Sequence, residues 1–263
     1  MLIAQISDTH VMLPGMLMSG KVDTAQHLQA AVAHLLSLEP RPDLVLATGD
    51  LVDSGSPEEY ARLRAILAPL PMPIYVIPGN HDTRDPLRAA FPEHDRLLGG
   101  AFIQYVIEDY PLRMIALDTL APGASHGELC ETRLDWLEAR LAESDRPTLL
   151  FMHHPPFPCG IADFDLIGLN HGRERLAEIV RGNPQVERIL CGHVHRPVQC
   201  RWAGTLASIG PSTAHQATLD LRPDVPITFT MDPPAVALHQ WRDGHLITHL
   251  SYIGDFDGPH AFS

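Results

Sequence analysis

Lysine is almost missing from this chain, with Lys21 alone in 263 residues. Lys and Arg together number 19 against 32 Asp and Glu, giving a formal net charge of −13, and the basic residues form no cluster. A nucleic-acid polymer or an anionic membrane requires a basic surface, so neither is expected as the main partner. Small anions stay open to it where something local supplies positive charge. Paired cysteines are lacking too. Cys130, Cys159, Cys191 and Cys200 are irregularly spaced without a C-x-x-C pair, which reads as free thiols in a reducing compartment. No basic segment precedes the first apolar run, which stops at Asp8, so no signal peptide is expected. The longest uncharged run, Ala65 to Asn80, is broken by Pro69, Pro71, Pro73 and Pro78 and cannot cross a membrane as a helix. Fixed-period repeats and low-complexity tracts are absent as well. The expectation is a cytoplasmic globular protein, long enough for one large α/β domain or a domain with a small appendage.

What is present is a pattern of strand ends. Leu44 to Ala47 is a continuous apolar run rich in branched residues, the signature of a strand buried on both faces. Gly49 ends it and leaves Asp50 at its C-terminal end, the edge where open α/β sheets place ligands. Four other runs finish the same way. Leu2–Ile6 leads into Asp8-Thr9-His10, and Ile74–Ile77 into Gly79-Asn80-His81-Asp82. Thr148–Met152 leads into His153-His154, and Arg188–Leu190 into Gly192-His193-Val194-His195.

Between these ends the chain predicts alternating helices. Asp23 to Gln26 has the form of a capping box before a helix with Leu28, Val32, Leu35 and Leu36 on one face. Ser56-Pro57-Glu58-Glu59 starts a second helix. Glu131–Glu143 and Gly172–Arg181 are two more. The loop Val11–Val22, with Met12, Met16 and Met18, is either a wall of the site or a packed surface loop. Phe102–Ile107 and Leu112–Leu117 read as a hairpin, and antiparallel strands after parallel units suggest a second sheet facing the first. Residues 1–215 are read as the catalytic domain. Residues 216–263 are read as a β appendage, a hairpin from Ala235 to Tyr252 turning at Asp243-Gly244, that caps the sheet or mediates subunit contact.

Asp, Asn and His supply oxygen and nitrogen donors suited to Zn, Mn, Fe or Co. Asp8 and His10 are two apart, as are His193 and His195, so on an extended segment each pair leans to one side. Seven groups are therefore on offer: Asp8, His10, Asp50, Asn80, His153, His193 and His195. Four would close a single site, so seven imply two divalent ions sharing a bridge. A carboxylate, Asp50, is the natural bridge, each oxygen facing a different cation. A lone fragment of this kind is usually structural; five in sequence, each closing an apolar run, are not.

Asp8-x-His10, Gly49-Asp50, Gly79-Asn80-His81-Asp82, His153-His154 and Gly192-His193-x-His195 resemble the five blocks of the calcineurin-like metallophosphoesterases. Their order and spacing are similar to the bacterial class III cyclic nucleotide phosphodiesterases, a branch that includes bacterial glycerophosphodiesterases. The resemblance covers residues 2 to about 215 and is looser beyond. It implies an α/β fold, a four-layer αββα sandwich with a small C-terminal β appendage. It also implies one cation on Asp8, His10, Asp50 and His195, and a second on Asp50, Asn80, His153 and His193. His81 would sit beside the scissile phosphate, with Asn80 and His215 also binding substrate. Adjacent strand residues face opposite ways, so His153 is taken as the ligand and His154 as a hydrogen-bonded structural histidine.

Two dications against two carboxylates leave about +2 locally, which offsets the acidic surface for a phosphate ligand. The implied activity is hydrolysis of small phosphodiesters, cyclic nucleotides or glycerophosphodiesters, by in-line attack of a metal-bound hydroxide. Asp50 and His81 are the catalytic residues and His81 protonates the departing alkoxide. A phosphomonoesterase or nucleotide-sugar pyrophosphatase could use the same scaffold. A non-catalytic interaction module, like the retromer subunit of this superfamily, should have lost ligands, and this chain has the whole set. A homo-oligomer, dimer or higher, is expected from the appendage.

Overall fold

This computed structural model describes residues 1–262. The chain opens with β1 (Leu2–Ile6), α1 (Thr24–Ser37), β2 (Leu44–Thr48), α2 (Pro57–Leu67), β3 (Ile74–Ile77) and α3 (Arg84–Ala90). It continues through β4 (Tyr105–Ile107), β5 (Arg113–Ala116), the short β6 (Gly127–Glu128), α4 (Glu131–Ala142), β7 (Thr148–Phe151), α5 (Ala162–Leu166) and β8 (Leu169–His171). Then come α6 (Arg173–Gly182), β9 (Val186–Cys191), β10 (Val198–Trp202), β11 (Thr205–Ile209), the short β12 (Gln216–Ala217) and β13 (Phe229–Thr230), and last β14 (Ala235–Arg242) and β15 (His245–Tyr252).

The helix starts follow local chemistry. The Ser56 side chain accepts from the Glu59 amide while the Glu59 carboxylate accepts from the Ser56 amide, and Pro57 opens α2. Such a cap contributes about 1 kcal/mol. Asp23 accepts from the Gln26 amide at the start of α1.

Strand order is β15-β14-β1-β2-β3 in one sheet and β10-β11-β9-β7-β5-β4 in the other. Strands β1, β2 and β3 run parallel, as do β5, β7, β9 and β11, with antiparallel strands at the margins. Alternation along the second sheet shows what covers each face. Met114, Ala116, Leu149, Phe151 and Leu190 pack into the core shared with the first sheet and with Leu28, Leu35 and Leu63 of α1 and α2. The residues between them, Ile115, Leu150, Ile189 and Cys191, pack with Leu134 and Leu137 of α4 and Leu176 and Val180 of α6. Period-two alternation across a buried sheet gives four layers, α/β/β/α. The parallel strands of both sheets then end at the same edge.

The C-terminal hairpin departs from the expectation. Asp243 (φ 53°) and Gly244 (φ 80°) make the two-residue left-handed turn that a tight hairpin requires. The hairpin is not an appendage, however. Leu2 to Gln5 of β1 pair with Gln240 to Ala237 of β14, so β14 and β15 extend the first sheet. β1 has backbone donors and acceptors on both sides, and β2 satisfies only one; β14 satisfies the other. Val236 and His239 are buried accordingly, while Ile247, Leu250 and Tyr252 of the outermost strand stay exposed. No described helix is long and apolar enough to cross a membrane.

Ending the chain at residue 231 strips β1 of this partner. The truncated protein should lose its cooperative thermal transition by circular dichroism. A truncated protein that unfolded cooperatively near the full-length midpoint would contradict the pairing as a stability element.

Candidate metal centre

The carboxyl ends of both sheets meet, and each sheet delivers half of the donors. Sheet one supplies Asp8 and His10 after β1, Asp50 after β2, and Asn80 and His81 after β3. Sheet two supplies His153 after β7, His193 and His195 after β9, and His215 after β11. One donor atom each from Asp8, His10 and His195 lie within 4.8 Å of one another, as do donor atoms of Asp8, Asp50 and His153. His153 Nε2 is 3.2 Å from Asn80 Oδ1, and the His153 and His193 rings lie 5.1 Å apart. All seven expected donors are thus brought together.

Asp50 joins the halves. Its Oδ1 accepts from the His81 amide at 2.9 Å. Its Oδ2 faces both groups, 3.7 Å from His10 Nε2 and 3.3 Å from His153 Nε2. Oδ1 thus helps hold the Asn80–His81 turn, while Oδ2 faces a histidine from each sheet.

The ligand-bearing segments are also not extended. Asp8, His10, Asp50, His193 and His195 all have positive φ, from 38° to 75°. Asp and His tolerate this region better than most residues, yet each such position costs about 1–3 kcal/mol. The turned backbone is what aims side chains two apart into one space. Gly49 and Gly79 supply the clearance: a Cβ on Gly49 would lie 2.5 Å from His153 Nδ1, and one on Gly79 2.2 Å from Asp50 Oδ1.

Burial and mutual charge set the protonation states. Burial and then His153 push His193 down to about 3, and burial and then His10 do the same to His195. Both present unprotonated nitrogen. Burial also works against the charge on Asp50, but His153 and His10 outweigh it and hold the carboxylate well below its usual range. His153 is the counterpart, pushed up to about 9 by Asp50 and Asp8 against its own burial. Burial and Asp50 raise Asp8, with His153 opposing.

Several donor atoms find no hydrogen-bond partner. Asp8 Oδ2 and His193 Nε2 are buried without one, and His10 Nε2 faces His195 Nε2 at 3.1 Å. Buried polar atoms are normally satisfied, and a cluster of unpartnered oxygen and nitrogen lone pairs is what a divalent cation completes. The residues fit such an ion.

The second histidine of the adjacent pair is differently placed. His154 Nδ1 lies 2.8 Å from Thr119 Oγ1 and its Nε2 3.2 Å from the Ser125 carbonyl, so both nitrogens are engaged. His153 donates from Nδ1 to the Thr48 carbonyl at 2.8 Å, which directs Nε2 to Asp50 and Asn80. His81 is partly exposed at the mouth, its Nδ1 donating to the Asp53 carbonyl at 2.7 Å and its ring 4.6 Å from that of His10. His215 is buried against His195, ring centroids 4.5 Å apart, with Phe229 on its other side at 5.3 Å. The loop Val11–Val22 closes on itself through Met18 and Val22 and leaves Leu13, Met16 and Leu17 exposed.

Two carboxylates escaped the sequence reading. Asp82 Oδ2 accepts from the Gly79 and Leu51 amides at 2.8 and 3.1 Å, and its Oδ1 from the Tyr60 hydroxyl at 2.8 Å. It pins the Asn80–His81 turn to the end of β2, although burial pushes it up to about 6. Its signal was its place as fourth residue of the Gly-Asn-His-Asp turn. Asp53 Oδ1 lies 3.4 Å from His10 Nδ1 and 3.9 Å from His81 Nδ1, and only its position three residues after Asp50 hinted at that. A cleft of about 640 Å³ opens beside Asn80 and His81, with Asp53, Ser54, Thr83, Arg84 and Leu120 among its walls.

Known proteins share both the sequence and the fold. Residues 1–197 match the family described as Calcineurin-like phosphoesterase. The chain is 44% identical over 264 residues to the "Probable glycerophosphodiester phosphodiesterase GpdQ" of Arcobacter nitrofigilis, covering 100% of this chain and 97% of the relative. It is 32% identical over 259 residues to the 3',5'-cyclic adenosine monophosphate phosphodiesterase CpdA of Pseudomonas aeruginosa, covering 97% of this chain and 90% of the relative. Among solved structures, a dimetal phosphatase from Danio rerio has the same fold, with a TM-score of 0.72 at 18% identity over 95% of each chain. With its donors gathered at the joint edge of two sheets and its first three quarters matched along their length, this chain belongs to the calcineurin-like phosphoesterase family.

Proposed function

We propose that the protein is a metal-dependent phosphodiesterase that hydrolyses small phosphodiesters. The observation that carries this is the gathering of seven nitrogen and oxygen donors from both sheets at one edge, with His10 and His153 facing Asp50 Oδ2 and His81 at the open side. Asp8, His10, Asp50 and His195 would hold one divalent cation, and Asp50, Asn80, His153 and His193 a second, drawn from Mn, Fe, Zn or Co. When bound, such cations act as Lewis acids that acidify water near neutral pH and neutralise charge on phosphate oxygens.

The chain's own residues do the rest. Asn80, His81 and His215 border the place where a phosphate would lie, and hold the diester so that water attacks phosphorus opposite the departing alkoxide. The phosphorus–alkoxide bond breaks as the new phosphorus–oxygen bond forms. With Nδ1 committed to the Asp53 carbonyl, His81 delivers its proton from Nε2 to the leaving oxygen. Asp82, through the Gly79 and Leu51 amides, keeps the turn that carries His81 in place.

The leaving group occupies the cleft beside Asn80 and His81. That cleft has hydroxyls and carboxylates, Ser54, Thr83 and Asp53, and no Phe, Tyr or Trp in its walls. Hydroxyl-rich alcohols such as glycerol find hydrogen-bond partners there, while a purine finds no aromatic ring to stack on. Glycerophosphodiesters are therefore the favoured substrates, in line with the name of the 44% identical relative. Cyclic nucleotides are the second reading, favoured by the likeness to CpdA. We place the enzyme in the cytoplasm, where its four unpaired cysteines would stay reduced. We also place a contact between copies of the chain at β15, where Ile247, Leu250 and Tyr252 are exposed on an edge strand.

Asp50→Ala should abolish activity and lower bound metal at both positions, because Asp50 would serve both. Two equivalents of metal on an active variant would refute the shared bridge. A panel of glycerophosphodiester, cyclic AMP and an aryl phosphodiester, run on metal-reconstituted protein, tests the substrate reading, and the first should give the highest kcat/KM. On the same panel His81→Ala should lose roughly 10²–10⁴-fold in kcat on alkyl esters and far less on the aryl ester, whose leaving group needs no proton. Equal losses would remove His81 as the acid. Light scattering should find wild type larger than a monomer and Leu250→Ser shifted toward monomer; a strict monomer at high concentration would end the β15 proposal.

A further inference from the structure

Below the donor cluster, a buried polar chain runs from the C-terminal hairpin through the first sheet into the second. Gln5 of β1 is its centre, and Gln5 and His239 of β14 are each 1% exposed. Gln5 Nε2 lies 2.9 Å from the Cys191 carbonyl of β9 and 3.0 Å from Thr48 Oγ1 of β2. Gln5 Oε1 lies 3.1 Å from His239 Nε2. His239 Nδ1 is 2.8 Å from Thr248 Oγ1, which in turn accepts from the Arg188 guanidinium of β9.

The direction of every bond follows from one fact. A carbonyl only accepts, so the atom facing Cys191 is the amide nitrogen of Gln5 and the atom facing His239 is its oxygen. His239 must then carry its proton on Nε2, leaving Nδ1 to accept from the Thr248 hydroxyl. That hydroxyl receives from Arg188. Thr48 Oγ1, having accepted from Gln5, donates to the Ile6 carbonyl at 3.4 Å. Burial pushes His239 down to about 3, which agrees with a neutral ring carrying a single proton. No group in this chain competes with another for the same role, and Gln5 uses both N–H bonds and its oxygen.

The places that Gln5 ties together are significant. Thr48 stands two residues before Asp50, and Cys191 two residues before His193. The Thr48 carbonyl also receives His153 Nδ1. The two half-sites come from different sheets, and between sheets most contacts are apolar and non-directional. Apolar packing sets the distance between sheets but leaves lateral slip weakly specified. A hydrogen-bonded amide has a preferred length and angle at each end, so it specifies where β9 stands against β2. The backbone makes room for it: a Cβ on Gly210 would lie 3.0 Å from both Cδ and Nε2 of Gln5.

We propose that Gln5, oriented by His239, is a positioning residue that sets the register between the strand ending in Asp50 and the strand ending in His193 and His195. The C-terminal hairpin is thereby coupled to the centre although it contributes no donor. This rests on the reading of these residues as cation ligands.

The test uses the full chain and Mn²⁺ alone as the first probe. Gln5→Leu keeps volume and removes the bonds; its Mn²⁺ affinity should fall about 10–100-fold, the usual effect of losing a group that orients ligands. On an aryl phosphodiester at saturating Mn²⁺, kcat should fall with little change in KM. His239→Leu should repeat the loss without touching β1. His239→Gln, whose amide N–H can still reach Gln5 Oε1, should restore most of the affinity. If Gln5→Leu does not fold, the His239 pair decides. Wild-type Mn²⁺ affinity in His239→Leu, or an equal loss in His239→Leu and His239→Gln, would overturn the proposal, as would variants that lower only the unfolding temperature. A wild-type protein that bound no divalent cation would overturn both this and the phosphodiesterase reading; variants matching an active wild type would overturn this one alone.

Discussion

Asp50 Oδ2 is the point at which histidines from the two sheets meet one carboxylate, and the rest of the molecule is arranged to keep a buried carboxylate oxygen there. Burying a carboxylate costs several kcal/mol unless it is paired and hydrogen-bonded. Here Oδ1 takes the His81 amide, while His10 and His153, from the two sheets, face Oδ2. Two imidazoles from two sheets could not reach one oxygen unless both strand sets ended at one edge. The four-layer stacking provides that, since parallel strands in each sheet point the same way and the shared core holds the ends together. A single sheet would present its donors in a row; two facing sheets present them around a point.

Holding that point requires backbone in unfavourable conformations. Five donors lie in the left-handed region, a local cost that only a large surrounding core can sustain. Asp82 shows how the cost is contained. A carboxylate with three donors, two of them backbone amides, replaces the regular pairing that the turn after β3 gives up. The site is therefore densely hydrogen-bonded on its buried side. Its open side carries the residue assigned to proton transfer, His81, next to a cleft wide enough for an alcohol.

Much of this was legible in the sequence, for a physical reason. Parallel buried strands are uninterrupted apolar runs, and the ligands directly follow them, so β1, β2, β3, β7 and β9 and their donors could be read in order. Helices α1 and α2 carried their own caps, and α4 and α6 were legible as helical segments without one. What was not legible depends on three-dimensional proximity. Nothing in the run Ala235–Tyr252 says that its partner is β1, more than two hundred residues away, so the hairpin read as an appendage. The positive φ angles at Asp8, His10 and His193 have no single-residue signature when the residue is not glycine. The His81 amide holds Asp50 Oδ1 through a contact between turns. Gln5 looked like one more residue of an apolar strand, and its three hydrogen bonds all go to other strands.

The acidic surface and the proposed anionic substrate are reconciled by the same geometry. A net charge of −13 spread over an exterior screened within about 10 Å at 0.1 M salt has little reach into a seam whose own charge is set by close neighbours. Inside that seam, burial keeps His193 and His195 unprotonated, and the two carboxylates are shared among many donors. A phosphodiester bound there meets whatever charge the cations leave uncompensated. In the reading proposed above, its alcohol arm would meet Ser54, Thr83 and Asp53, which line the adjoining cleft. Recognition is thus divided. On the proposed reading the buried side would select the phosphate, which every substrate of the class shares, and the open side the alcohol, which distinguishes one from another. Substitutions in the cleft can therefore change which ester is cleaved while the donor set, locked between two sheets, stays as it is.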